Sequence, residues 1–67
     1  MAEDIRVRVG KNVKKLRKPK AQDVIAGQAV CSRKHFMAIE AGRIDVGIVM
    51  LEKIAAALGV PIAKLLE

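Results

Sequence analysis

The apolar residues of this chain recur at the three- and four-residue spacing of α-helices. In the first 18 residues four apolar positions follow one another at steps of four, four and three, which places them on one face of a helix. Pro19 disfavours helical conformation at the residue before it, so the pattern predicts a first helix from about residue 4 to residue 18. The apolar face of this helix consists of Ile5, Val9, Val13 and Leu16.

Two shorter helical patterns follow. Apolar residues in 22–28 predict a second helix, although Gly27 lowers its intrinsic propensity by about 1 kcal/mol relative to Ala. Ser32 is a good N-cap residue, so a third helix is expected from residue 33 to about residue 40, with Phe36 facing inward. Gly42 follows at a plausible C-cap position.

The C-terminal third predicts two more helices. Asp45 or Gly47 is a candidate cap for a fourth helix, whose apolar stripe runs to Leu58. Gly59 and then Pro61 are typical of a helix end followed by the first position of a last helix over 61–66. No alternating run of strand length is present. The sequence therefore predicts an all-α fold, a compact bundle of five short helices, in one domain over 1–67.

The charge of the chain is strongly uneven. Residues 1–34 hold ten Lys or Arg and three Asp or Glu, whereas residues 35–67 hold three and four, and the net charge is +6. A one-sided basic surface indicates a polyanionic partner, with nucleic acid first and an anionic membrane surface second. The alternative is a solvated basic face that only aids solubility. With one Phe and no Trp or Tyr, the chain lacks a base-stacking platform, which argues against single-stranded nucleic acid.

Residues 22–40 have the arrangement of a helix-turn-helix motif. A helix fits the major groove of B-form DNA, and the residues of its first turn reach base edges. Ser32, Arg33 and Lys34 occupy that turn. Taken alone, these three residues are better explained as an ordinary capped helix with surface cations, because such a sequence is common.

A longer stretch makes the assignment more specific. From Val9 to Leu66 the chain resembles the phage-repressor-like helix-turn-helix family, which includes the lambda and 434 repressors and Cro and is also described as XRE-like. The matching segments, in order, are "VGKNVKKLR", "QDVIAGQA", "CSRKHFMAIEAGR" and "LEKIAAALGV" followed by "LL". The resemblance implies a lambda-repressor-like DNA-binding domain and a sequence-specific transcriptional regulator of double-stranded DNA. A repressor acting as a homodimer on a palindromic operator is the expected form.

The resemblance also implies roles for individual residues. Gln22 corresponds to a glutamine that bonds a DNA phosphate, and Arg17 corresponds to a phosphate-binding cation of helix 1. Positions that read bases or face the groove are Ser32, Arg33, Lys34 and Ala38, with His35 and Met37 beside them. The loop that approaches the DNA backbone corresponds to Ala41, Gly42 and Arg43.

Three positions depart from the family pattern. The connection between Leu16 and Gln22 is about two residues shorter than usual and contains Pro19. Val30 stands where the family usually has Gly, so a positive φ there would strain a β-branched residue by about 1–3 kcal/mol. Val46 stands where the family often has Pro.

The unique Cys31 and His35 lie four residues apart, a spacing that would place them on one helix face. Zinc requires three or four protein ligands, and no clustered carboxylates complete a set, so no metal and no cofactor are expected. Cys31 corresponds to a small buried apolar position of the family, where a thiol behaves as a hydrophobe.

Other functions fit the sequence less well. An antitoxin or other protein-interaction module of the same fold is the main alternative, although the chain has no evident extra docking segment. A membrane-surface role for helix 1 would lack aromatic anchors. Paired carboxylates, a Gly-rich phosphate loop and a catalytic triad are missing, so neither an enzyme nor a small-molecule substrate is expected. The absence of a signal-peptide pattern and of a disulfide pair predicts a cytoplasmic protein.

Overall fold

The first helix begins at a capped residue and ends just before the proline. A computed structural model of the protein describes residues 3–67, and its helices are α1 (Ile5–Arg17), α2 (Gln22–Gln28), α3 (Arg33–Glu40), α4 (Ile48–Leu58) and α5 (Ala63–Leu66). No strand occurs in the described residues. The predicted all-α fold of five short helices is confirmed.

The N-terminus of α1 is fixed by Asp4. Its Oδ1 accepts a hydrogen bond from the backbone N–H of Arg6 at 2.9 Å, and the Arg6 guanidinium contacts the same carboxylate at 2.7 Å. These hydrogen bonds and the charge of Arg6 lower the pKa of Asp4 to about 2. The predicted helix bounds therefore differ by one residue at each end, where Asp4 and Lys18 serve as caps.

The α2–turn–α3 unit forms where the sequence predicted it. The Oγ of Ser32 accepts a hydrogen bond from the backbone N–H of His35 at 3.0 Å, which confirms the predicted N-cap. The turn is closed by the backbone N–H of Cys31, which donates to the carbonyl of Ala26 at 2.8 Å. Short backbone bonds of this kind hold α3 close to the end of α2.

Val30 has the positive φ that its position in the turn suggested, although it is a β-branched residue. Its φ is 54°, in the left-handed region, and its side chain is 79% exposed. A β-branched residue in this region is strained, because its Cβ substituents crowd the backbone. Since the side chain contributes almost no buried surface, packing does not compensate the strain.

The glycines and the proline predicted at helix ends match the structure only in part. Gly59 has φ 72° and caps α4, and Gly42 has φ 73° directly after the Ala41 cap of α3. Gly47, one of the two predicted candidates, is the N-cap of α4. The predicted start of α5 at Pro61 was wrong by two residues. The first backbone hydrogen bonds there join residues three apart, as from the Lys64 N–H to the Pro61 carbonyl, whereas an α-helix joins residues four apart.

The core draws on every helix. Phe36 of α3 is fully buried, as the sequence predicted. Full burial of a large apolar side chain such as Phe or Ile stabilises a protein by about 1.5–3 kcal/mol. The largest fully buried side chains are Phe36, Ile25, Ile39, Ile54, Leu65 and Val13. A bundle of short helices held by one shared core is the result.

α1 and α3 meet at a glycine. A Cβ added at Gly10 would lie 2.6 Å from the carbonyl oxygens of both Ile39 and Glu40. Such a distance is far inside van der Waals contact, and the neighbours are backbone atoms with little freedom to move. Gly10 therefore allows the C-terminal end of α3 to pack directly on the backbone of α1.

We expect Val30→Gly to stabilise the protein by about 1–2 kcal/mol, because glycine adopts a positive φ without steric cost. Urea denaturation monitored by circular dichroism measures this change. Val24→Gly is the matched control, since Val24 is also an exposed valine but lies inside α2. That variant should lose about 1 kcal/mol, and an equal loss for Val30→Gly would contradict the strain.

Candidate nucleic-acid interface

Some of the basic residues line a cleft beside α3. We refer to this cleft between α1, α2 and α3 as the α3 cleft. It is lined by Lys14, Gln22, Arg33, Lys34, Met37, Ala38, Glu40, Ala41 and Arg43. Four of these side chains are cations and one, Glu40, is an acid. The cleft thus combines positive charge with the first turn of a capped helix.

Glu40, which lines the cleft, belongs to a buried ion pair with Arg17. The Nε of Arg17 donates to Oε2 of Glu40 at 2.6 Å, and its NH2 nitrogen lies 3.3 Å from Oε1. The two side chains are only 9% and 5% exposed. The NH1 nitrogen of Arg17 donates to the carbonyl of Lys20 at 2.6 Å. This pair ties the end of α1 to the end of α3 and to the short connection before α2.

The side chain of Arg17, expected from the resemblance to contact a phosphate, is bonded within the protein. All three guanidinium nitrogens donate inside the protein, and the residue is 8% exposed, so Arg17 serves as an internal brace. Lys14, which the sequence analysis did not select, lines the cleft instead. Lys14 is one helical turn before Arg17 and four residues after Gly10, so the helical spacing could have placed it on the face toward α3.

Gln22 joins the same network. Its Nε2 donates to Oε1 of Glu40 at 2.8 Å, and the residue is half-buried. Among the residues that the structure describes, the Oε1 of Gln22 has no hydrogen-bond partner. Glu40 therefore accepts hydrogen bonds from the end of α1 and from the first residue of α2 at once.

The first turn of α3 presents its polar side chains to solvent. Ser32, Arg33, Lys34 and His35 are all exposed, Met37 is 46% exposed, and Ala38 is half-buried. A neighbouring depression is lined by Ser32, Lys34, His35, Ala38 and Ile44. Over residues 3–67 no ion pair includes Arg33, Lys34 or Arg43. These cations are thus available to an anionic partner.

Cys31 packs against the core, whereas His35, four residues later, is exposed. Cys31 is partly buried rather than fully buried, it packs against the core, and its thiol lies 3.3 Å from the carbonyl oxygen of Ser32. Burial raises the pKa of the Cys31 thiol, which lowers its nucleophilicity near neutral pH. Within the described part of the chain, no group of three or more His, Cys, Asp and Glu side chains could hold a metal ion.

A capped α3 with exposed cations in its first turn, held against α2 by a tight turn, defines a helix-turn-helix protein. No protein-family model matches the chain. A curated relative, the control protein C.MunI of Mycoplasma sp, is 42% identical over 65 residues, which cover 92% of this chain and 88% of the relative. The chain belongs to the XRE-like helix-turn-helix family of control proteins and transcription regulators.

Solved structures agree with this assignment. The restriction-modification controller protein C.AhdI from Aeromonas hydrophila matches with a TM-score of 0.86 at 27% identity, over 90% of this chain and 94% of that chain. The hypothetical transcription factor NHTF from Neisseria matches with a TM-score of 0.89 at 32% identity, over 100% and 85%. The clp gene regulator ClgR from C. glutamicum, at 24% identity and a TM-score of 0.90 over 97% and 87%, shows the same fold.

Fold, site and relatives together identify a DNA-binding transcriptional regulator rather than an enzyme. None of the described helices is both long enough and apolar enough to cross a membrane.

We expect Arg17→Met to destabilise the fold by about 3–5 kcal/mol, because it leaves the buried carboxylate of Glu40 without its cation. The double variant Arg17→Met/Glu40→Met should recover most of that loss, since apolar side chains of similar size replace the whole pair. Thermal unfolding followed by circular dichroism measures both effects. Arg6→Met is the control, because Arg6 belongs to an exposed ion pair, and it should change little. Equal behaviour of the Arg17 and Arg6 variants would contradict a buried brace.

Proposed function

We propose that this protein is a transcriptional repressor that binds a palindromic operator as a homodimer and reads the major groove with α3. The observation that carries the proposal is the pair of exposed cations Arg33 and Lys34, unpaired among the described residues, in the first turn of a helix with a bonded N-cap. A helix of this kind fits the major groove with its first turn toward the base edges.

The side chains in the first turn of α3 can make different kinds of contact with DNA. Arg33 offers parallel N–H donors that match the O6 and N7 acceptors of guanine, and Lys34 can do the same with less geometric constraint. Ser32 can donate its hydroxyl proton to a phosphate or a base while its Oγ caps the helix. Exposed Met37 and the half-buried Ala38 are apolar groups suited to a thymine methyl.

Other residues near the first turn of α3 can supply positive charge for contacts with DNA phosphates. Lys14 and Arg43 lie at the edges of the α3 cleft, where each can neutralise one phosphate. His35 lies beside them and is exposed. We assign phosphate contacts to Lys14 and Arg43, and we leave Arg17 out of the interface because of its ion pair with Glu40.

Dimerisation would add the affinity that one small domain lacks. Two copies on one DNA face, with recognition helices about 34 Å apart, read twice the sequence and double the phosphate contacts. At the C-terminal end, Leu65 is fully buried, whereas Leu66 is 42% exposed. Ile48 (76%) and Val49 (61%), at the start of α4, are also among the exposed large apolar side chains.

The relatives suggest the regulated genes. C.MunI is named a control protein and C.AhdI a restriction-modification controller protein. By this likeness we assign the protein to the control of restriction-modification genes, acting in the cytoplasm where the DNA lies.

Selection from random duplex DNA at several salt concentrations tests the proposal. We expect one enriched palindromic sequence, bound with an affinity that falls steeply as salt rises. Arg33→Ala should reduce discrimination at one base pair in each half-site by 1–3 kcal/mol, as is typical for a bidentate contact. Lys64→Ala is the matched control because Lys64 lies on α5 and pairs with Glu67. Weak binding with no enriched sequence would overturn the proposal.

We also expect the protein to be a dimer at micromolar concentration and Ile48→Glu/Val49→Glu to be a monomer, because two carboxylates would be buried at the interface. Sedimentation equilibrium measures the mass. Val24→Glu is the control, since Val24 is an exposed valine on α2 (47%) outside this surface. A monomeric wild-type protein, or a dimer unaffected by the double substitution, would rule out this interface.

A further inference from the structure

The only histidine of the chain lies in the first turn of α3 with a free imidazole. His35 is exposed, and its backbone N–H is already bonded to the Oγ of Ser32. Over residues 3–67 the imidazole itself forms no ion pair and no hydrogen bond. The ring is therefore open to a partner from outside the chain.

His35 lies on the opposite flank of α3 from the α3 cleft. The second depression beside α3 is lined by Ser32, Lys34, His35, Ala38 and Ile44. Lys34 and Ala38 line both depressions, so they lie between them, and His35 lies on the side of the 41–47 loop. With Lys34 toward the floor of the major groove, His35 lies toward one wall of the groove, which is a phosphate backbone.

The charged groups of α3 that lie nearest to His35 are cations. Arg33 and Lys34 directly precede it, and no acid lines its depression. Cys31, one turn earlier, keeps its proton near neutral pH because burial raises the pKa of its thiol. Within α3, therefore, nothing near the ring can serve as its anionic partner.

The other elements also leave the ring without an anion. Helices α1, α2, α4 and α5 contribute no residue to the depression. In the loop after α3, Ile44 is the residue that lines it, while Arg43 lines the α3 cleft. Asp45, the acid of this loop, lies 3.7 Å from the guanidinium of Arg6. A DNA phosphate would thus meet no competing acid of the described residues at His35.

A phosphate beside an imidazole favours its protonated form. Histidine ordinarily changes its charge between about pH 5 and pH 8. The neutral ring has one N–H donor, whereas the imidazolium has two donors and a positive charge, and its hydrogen bond to an anion is about twice as strong. A complex that holds more protons than the free protein becomes tighter as the pH falls.

We propose that His35 takes up a proton from solvent when the protein binds DNA, and that its imidazolium then binds a phosphate at the wall of the major groove. DNA affinity consequently increases as the pH falls toward 6. A homodimer takes up two protons, one at each chain. This inference rests on the proposed DNA-binding function and adds to it a regulation by pH.

Binding of the selected operator between pH 6 and pH 8 at fixed ionic strength tests the inference. We expect the affinity of the wild type to rise about tenfold from pH 8 to pH 6. Each chain would neutralise one more phosphate at the lower pH. The slope of log affinity against log salt should therefore be steeper at pH 6 by about 0.9 per chain.

Three variants identify the group that titrates. His35→Gln cannot gain a charge, so its affinity should stay constant over this range and close to that of the wild type at pH 8. His35→Lys is charged throughout, so its affinity should stay constant and close to that of the wild type at pH 6. Gln28→His in the His35→Gln background is the matched control, because Gln28 is exposed on α2 and lines neither depression. It should restore no pH dependence.

A wild-type affinity that is the same at pH 6 and pH 8 would overturn the inference, and so would a pH dependence that His35→Gln retains. A pH-dependent affinity with an unchanged salt slope would also overturn it, because the imidazolium would then neutralise no phosphate. In each case the wild type would still select an operator, so the proposed function would stand. A wild-type protein that selects no sequence would overturn the proposed function and this inference together.

Discussion

The buried ion pair between Arg17 and Glu40 is the constraint on which the geometry of the interface depends. It joins the last residues of α1 and α3, and through the Lys20 carbonyl and the Gln22 amide it also fixes the approach to α2. Separating two such charges inside a protein is costly, so the three helix ends stay together. The close backbone contact at Gly10 supports the same junction. The first turn of α3 is thereby held at a fixed position relative to α1 and α2.

This junction also explains how a short connection between α1 and α2 is accommodated. The Lys20 carbonyl accepts a bond from Arg17, so the segment that contains Pro19 is attached to the brace itself. Four cations that form no ion pair among the described residues line the α3 cleft, namely Lys14, Arg33, Lys34 and Arg43. This arrangement suits the binding of a polyanion. The cations of the cleft can contact it without breaking the ion pair between Arg17 and Glu40.

Local signals predicted most of the fold. The bounds of α2 and α3, the Ser32 cap and the glycine after α4 all follow from side-chain chemistry within a few residues. The site was predicted less completely. Arg17 and Lys14 are both cations of α1, and only the tertiary packing against Glu40 decides which is buried and which lines the cleft. Val30 shows the same limit, since its positive φ is imposed by the closure of the turn against the local preference of valine.

In the proposed function, α3 lies in the major groove of double-stranded DNA. Methylation interference at guanine N7 tests it directly, because N7 projects only into the major groove and is an acceptor for Arg33. We expect methylation of a guanine in each half of the selected operator to prevent binding by the wild type, and binding of Arg33→Ala to be insensitive to the same modification. Unimpaired binding of wild type to DNA methylated at every guanine N7 of the operator would rule out this position of α3.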